Sequence, residues 1–105
     1  MKAILASTAY LFRDDDLKVI ALGAAGMPVL DQFGGATVGL IRSVAKHDDE
    51  HRVEIEVELN GPPPDGPFWI VPAVTINPET RRIIAITSVA ITRNPADPTL
   101  PPVTL

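Results

Sequence analysis

The stretch RVEIEVEL, residues 52–59, alternates apolar and charged side chains without a break. Its apolar side chains fall on one parity, and its arginine and three glutamates fall on the other. Successive side chains of a strand point to opposite faces, so strict alternation indicates a strand with one buried and one solvated face. This stretch therefore predicts a sheet whose core side carries Val53, Ile55, Val57 and Leu59.

Two hairpins are predicted when the sequence is read outward from this strand. Upstream, ATVGLIRSVAK (36–46) also favours a strand, and the polar segment HDDEH (47–51) is typical of a hairpin tip. Downstream, PFWIVPAVTI (67–76) and RRIIAITSVAIT (81–92) are apolar and rich in β-branched residues. Asn77–Thr80 separates these two runs and carries the asparagine and proline of a type I turn.

Prolines restrict the remaining elements. The chain has 11 of them, which leaves few windows for a helix of normal length. Pro72 has no N–H for a sheet ladder, so its strand should lie at an edge or carry a bulge. AILASTAYLF (3–12) and LKVIAL (17–22) are predicted to pair as strands around an acidic turn at Arg13–Asp16. One short helix is predicted around Val29–Phe33.

The predicted fold class is mainly β, a small antiparallel β-barrel or sandwich. A chain of 105 residues, 46% of them hydrophobic, is long enough for one domain with one core. We place this β domain at residues 1–93. NGPPPDGP (60–67) should form a stiff exposed loop, since consecutive prolines favour polyproline II geometry. NPADPTLPPVTL (94–105) should form an extended proline-rich C-terminal arm that travels outward from the domain.

Composition excludes several classes of function. The chain has no cysteine, so it has neither a disulfide framework nor a thiolate metal site. Its formal charge is −4, which disfavours a surface that binds nucleic acid directly. No run reaches the ~18 apolar residues that a membrane-spanning helix needs. The N-terminal apolar run lacks a clear cleavage site, so we interpret it as a strand of an intracellular protein rather than a signal peptide.

Three groups of residues are candidates for chemistry. The HDDEH segment (47–51) offers two imidazoles and three carboxylates to a divalent cation, but a hairpin tip is expected to be polar and solvated. Asp14–Asp16 lacks the ligand spacing and the closing glutamate of a calcium loop. Ser7, Ser43 and Ser88 have only the two histidines of the HDDEH segment as bases, and none lies beside one in sequence. We predict no metal, no cofactor and no catalytic residue, while a serine–histidine pair formed by the fold stays open.

Proline-rich and aromatic segments are the candidates for contact with a partner protein. Prolines hold an extended segment in place before it binds, and aromatic residues are frequent hot spots of protein interfaces. The predicted partner-binding residues are Pro62, Pro63, Pro64, Phe68, Trp69, Pro95, Pro98, Leu100, Pro101 and Pro102.

Three segments, in order over about residues 13–98, resemble the β-barrel domain of the prohead (capsid maturation) proteases of tailed phages. RDDDLKVIALGAAGMPVL (13–30) resembles the opening of that family, with an acidic turn that leads to a Pro-apolar-apolar step. VGLIRSVAKHDDEHRVEIEVELN (38–60) resembles its hairpin. ITSVAITRNPADP (86–98) resembles its closing strand and is the most specific of the three. The resemblance implies a fold related to the herpesvirus assemblins.

The catalytic groups of that family are missing from this sequence. The resemblance places the catalytic histidine on or beside Phe33, and no histidine stands between Met1 and Lys46. It places the nucleophilic serine on the strand PFWIVPAVTI, where Val71, Pro72 and Ala73 stand instead. Phenylalanine cannot transfer a proton, and without a nucleophile no acyl-enzyme can form.

The resemblance implies a phage setting, and the missing groups imply binding without cleavage. We therefore expect a virion structural protein on the capsid surface, made in the host cytoplasm: a decoration (cement) protein or a minor capsid protein. Its expected partner is the major capsid protein of a phage head, and a homo-oligomer such as a trimer is expected. Nucleic acid and membranes are not expected partners. The alternatives are a prohead assembly or scaffold factor, an active serine protease of the prohead type, and an unrelated β-barrel that binds a small ligand.

Overall fold

The fold is mainly β, as the sequence predicts. A computed structural model of the chain describes residues 1–9 and 12–103, with 47% of these residues in strands and 11% in helix. Six strands form one sheet that curls into a half-barrel. The elements in chain order are β1 (Lys2–Ser7), α1 (Asp14–Ala24), β2 (Pro28–Asp31), β3 (Thr37–His47), β4 (Arg52–Leu59), β5 (Trp69–Ile76) and β6 (Ile83–Thr92).

The sheet has the order β1-β4-β3-β2-β6-β5, and β1 and β5 are its two edges. The neighbours are antiparallel, as predicted, except β2 and β6, which run parallel. Curling brings Cα atoms of β1 and β5 within 8 Å of each other, although the two strands form no ladder. The barrel therefore stays open between its edge strands.

Both predicted hairpins are confirmed. In the first, β3 pairs with β4 from Gly39 opposite Leu59 to His47 opposite Arg52. In the second, β5 pairs with β6, and the side chain of Asn77 caps the turn by accepting hydrogen bonds from the next backbone N–H groups. Pro72 lies in β5, which is an edge strand, so its missing N–H disturbs no central ladder.

The predicted strand pair around Arg13–Asp16 is wrong, because Asp14–Ala24 form the helix α1. Its first turn carries three aspartates, which favour the positive end of the helix dipole. The buried face of α1 carries Leu17, Ile20 and Ala24, at helical spacing. Two residues of the predicted N-terminal strand (10 and 11) lie outside the described part of the chain. Within that part, no helix is both long and apolar enough to cross a membrane.

The short helix predicted around Val29–Phe33 is also wrong, because Pro28–Asp31 form the strand β2. Val29 lies opposite Val89 in the parallel pair, and both side chains are fully buried. Gln32 follows the strand in the left-handed region, with φ of 67°, and so starts a turn rather than a helix. Burial between two strands therefore outweighs the local preference of this segment.

The described part of the C-terminal arm is folded back onto the domain, so the predicted outward course is wrong for it. Leu100 is only 6% exposed. The indole Nε1 of Trp69 donates a hydrogen bond to the carbonyl oxygen of Leu100 at 2.9 Å. The backbone N–H of Val103 donates to the carbonyl of Phe68 at 2.8 Å. The arm thus lies against the start of β5 and beside β1, near the gap between the two edge strands.

The hydrophobic core lies between α1 and the sheet. The buried side chains of α1 pack with those of β1, β4 and β6, and Phe68 is the largest fully buried side chain. Gly23 lets α1 approach the sheet, because a Cβ atom at this position would lie 2.2 Å from Cγ2 of Ile86. That distance is far below van der Waals contact, and Ile86 is 8% exposed and has little room to move.

Replacing Gly23 with alanine should therefore lower the free energy of unfolding, although alanine is the better helix former. The gain in helix propensity is about 1 kcal/mol, and forcing a methyl group into a packed core costs about 1–3 kcal/mol. We expect a net loss of about 1 kcal/mol, measured by urea unfolding. Gly61→Ala is the control, since no atom lies within 4 Å of the added Cβ. Greater stability for Gly23→Ala would contradict the close packing of α1 on β6.

Candidate functional site

An apolar groove runs along β5 and is the candidate functional site. It has a volume of about 540 Å³. Its β5 side is formed by Val71, Pro72, Val74 and Ile76. Leu5 of β1, Phe12 before α1, Ile83 at the start of β6 and Leu100 of the arm also line it. The groove thus occupies the place where the half-barrel is open.

Two partly exposed apolar side chains line this groove. Phe33 follows β2 and is 50% exposed. Ile76, which ends β5, is 52% exposed. Exposed large apolar side chains beside a concave apolar surface are typical of ligand or protein interaction sites.

Two buried carboxylates, Asp16 and Asp97, also line the groove. Both oxygens of Asp16 have partners: Oδ2 accepts the backbone N–H of Arg13 at 2.9 Å, and Oδ1 accepts that of Ile83 at 3.3 Å. In Asp97, Oδ1 accepts the N–H and the hydroxyl of Thr99 at 2.9 and 2.5 Å. Oδ2 of Asp97 is buried and has no hydrogen-bond partner among the described residues.

The positions that the resemblance assigns to the protease's catalytic groups lie along this same groove. Phe33, in the histidine slot, and Val71 and Pro72, in the serine slot, all line it. Ala73 is not among the lining residues, and its carbonyl accepts a hydrogen bond from the hydroxyl of Thr87 at 3.0 Å. The arrangement presents an apolar surface and no group that could take or give a proton at these slots.

Each histidine lies near a carboxylate, but only His51 is within hydrogen-bond distance of one, and Nε2 of His47 is buried without a hydrogen-bond partner. Nε2 of His47 lies 3.7 Å from Oε1 of Glu54, and Nδ1 of His51 lies 2.8 Å from Oδ1 of Asp14. Within residues 1–9 and 12–103, no hydrogen bond joins a serine hydroxyl to a histidine, and no cluster of His, Asp and Glu is arranged to hold a metal ion. The His51–Asp14 contact links the β3–β4 hairpin tip to the start of α1, which the sequence could not indicate.

The outer face of the first hairpin carries exposed ion pairs rather than a site. Nε of Arg42 donates to Oε2 of Glu58 across β3 and β4 at 2.7 Å. This hydrogen bond and the charge of the guanidinium lower the pKa of Glu58 from its usual value. Exposed pairs of this kind contribute little to stability, so this face is a solvated surface.

The predicted partner-contact residues divide into exposed and buried ones. Phe68 and Leu100 are buried, so they belong to the protein's own core and arm packing. Trp69, Pro64 and Pro95 are half-buried. The remaining residues of this set are exposed: Pro62, Pro63, Pro98, Pro101 and Pro102.

Sequence reasoning missed the two carboxylates that line the groove. Asp97 carries a short-range signal, because an aspartate side chain in a turn often binds the backbone two residues further on. Asp16 could have been recognised as a residue in the acidic first turn of a helix.

No family model, no curated protein and no solved structure matches this chain.

Proposed function

We propose that this protein is a non-catalytic binding module of a phage virion, a decoration or minor capsid protein that attaches to the surface of the assembled head. The observation that carries the proposal is the groove along β5. Phe33, Val71 and Pro72 line it at the positions where the resemblance calls for a base and a nucleophile. A site of this shape can hold a partner, and its lining contains neither the serine nor the histidine that the protease chemistry uses.

The exposed prolines support attachment to a large surface. Pro62 and Pro63 project from a loop that Arg93 fixes to the end of β6, because its guanidinium donates a hydrogen bond to the carbonyl of Asp65. Pro101 and Pro102 are exposed on the docked arm. Segments that are ordered before binding lose less conformational entropy on docking. The net charge of −4 suits an outer surface better than one that faces packaged DNA.

The major capsid protein of a phage head is the proposed partner, and symmetric copies on the shell are the proposed assembly. A repeated surface offers each copy the same site, so several weak contacts add up on one particle. Two alternatives lead to different observations. An assembly factor would be found in immature heads and not in mature particles. An active serine protease would react covalently with a fluorophosphonate probe.

Binding to the capsid can be tested by sedimenting purified phage heads with the full chain. We expect the protein to co-sediment in a fixed ratio to the major capsid protein, and replacement of both Pro62 and Pro63 by glutamate to reduce binding about tenfold. Pro78→Glu is the matched control, since Pro78 is exposed in the β5–β6 turn. Equal binding by both variants would reject the loop as a contact. Absence of the protein from sedimented heads would reject the proposed function.

A further inference from the structure

Asp97 is the buried carboxylate of the groove whose hydrogen bonds the fold leaves incomplete. It is 7% exposed, and Thr99 occupies only one of its two carboxylate oxygens. No arginine or lysine among the described residues forms an ion pair with it. A buried carboxylate oxygen without a donor is unfavourable, because it has lost water and gained nothing in exchange.

Of the two buried carboxylates in the groove, only Asp97 has an oxygen without a hydrogen-bond donor. Asp16 lines the same groove and is equally buried, yet each of its oxygens accepts a backbone N–H, and Nε of Arg82 lies 3.6 Å from Oδ1. Asp16 therefore has a structural role in the folded chain. Asp97 has acceptor capacity left over for a molecule that enters the groove.

Arg81 is the positively charged residue that lines the groove, and it belongs to the end of β5 away from the arm. Arg81 lies in the turn between β5 and β6, and the strand register places that turn next to Ile76. Asp97 belongs to the arm, whose Leu100 binds Trp69 at the opposite end of β5. Eight residues of strand separate the two ends, a length of roughly 25 Å. The other polar residues that line the groove are Asp16, Thr92 and Asn94, and none of them carries a positive charge.

We infer that this groove binds an apolar ligand that carries a cationic nitrogen, with the nitrogen donating to Oδ2 of Asp97. The apolar part would pack on Val71, Val74 and Leu5, and the ammonium or guanidinium group would supply the missing donor. Two sources share this chemistry: a free aliphatic amine, and a lysine with apolar neighbours in a partner polypeptide. The inference concerns the groove alone and is independent of attachment to a phage head.

The probes are n-octylammonium, n-octanol and octanoate, titrated separately into the ¹⁵N-labelled full chain and followed by NMR. We expect n-octylammonium to bind at least about tenfold more tightly than n-octanol, and octanoate to bind most weakly. The amide shifts should cluster on Val71, Val74 and Asp97. Equal affinity for the amine and the alcohol, or shifts that lie away from the groove, would overturn the inference.

Asp97→Asn provides the test by substitution. Asparagine keeps an oxygen that can accept from Thr99 but removes the charge, so affinity for n-octylammonium should fall to that for n-octanol. Asp49→Asn is the control, because it makes the same charge change at an exposed position of the hairpin tip. An unchanged affinity of Asp97→Asn for n-octylammonium would also overturn the inference. If this variant does not fold, the amide shifts of the unaltered protein decide the question.

A third titration separates the two sources of the nitrogen. The probe is the blocked peptide Val-Lys-Val, with its Nε-acetyl-lysine form as the control. Tighter binding of the peptide than of n-octylammonium supports a lysine of a partner polypeptide. Binding of n-octylammonium alone supports a small amine, and binding of neither overturns the site.

Discussion

Replacing Asp16 with alanine should lower the free energy of unfolding by about 3 kcal/mol. The side chain accepts the N–H of Arg13 at the start of α1 and that of Ile83 at the start of β6. The first bond caps the helix, and losing a cap costs about 1 kcal/mol. The second satisfies a buried donor, and leaving such a donor without a partner costs about 1–3 kcal/mol. Together these losses should lower Tm by roughly 14 °C.

Asp15→Ala is the matched control for this substitution. The side chain of Asp15 is 77% exposed and contacts Lys18 and Arg82 at the surface. Surface pairs contribute about 0–1 kcal/mol, so this variant should stay close to the parent. Both variants can be measured by thermal and urea unfolding followed by circular dichroism. Similar losses for Asp15→Ala and Asp16→Ala would mean that helix-dipole charge matters here and that the bond to Ile83 does not.

The strands could be predicted from the sequence because their signal is local. Alternation in RVEIEVEL and the turn at Asn77–Thr80 depend on neighbours in the chain, and both hairpins form as expected. The helix α1 was missed because acidic residues favour a turn and the first turn of a helix alike. Tertiary contacts then support the helix: Leu17, Ile20 and Ala24 are fully buried, and Asp16 accepts the N–H of Ile83, 67 residues away.

The candidate site could be predicted only in part, for the same reason. The resemblance singled out Phe33 and the Val71–Ala73 stretch as positions that lack catalytic groups, and the fold brings Phe33, Val71 and Pro72 to one groove. It could not indicate that the arm returns to the same place. Prolines at 95, 98, 101 and 102 forbid a strand but do not fix a direction. That direction depends on the burial of Leu100 and on its bond to Trp69, which are tertiary contacts.

Replacing Leu100 with aspartate should detach the arm from the domain. Leu100 is 6% exposed and lines the groove together with Asp97, so a second carboxylate there would be both desolvated and repelled. Loss of the buried leucine contacts alone costs about 2–4 kcal/mol, which Leu100→Ala measures. The aspartate should exceed that value, because a buried charge without a partner adds to the lost packing.

Trp69 reports this detachment directly, because it is the only tryptophan of the chain. Its Nε1 donates to the backbone carbonyl of Leu100, a bond that the substitution keeps unless the arm moves away. We therefore expect the fluorescence emission of Leu100→Asp to shift to longer wavelength in the folded protein, before any unfolding by urea. Pro101→Asp introduces the same charge at the exposed neighbouring position and should leave the emission unchanged. An unshifted emission in Leu100→Asp would mean that the two hydrogen bonds, from Trp69 and to Phe68, hold the arm without the leucine side chain. A red shift in both variants would mean that the arm is held too weakly to close the gap between β1 and β5.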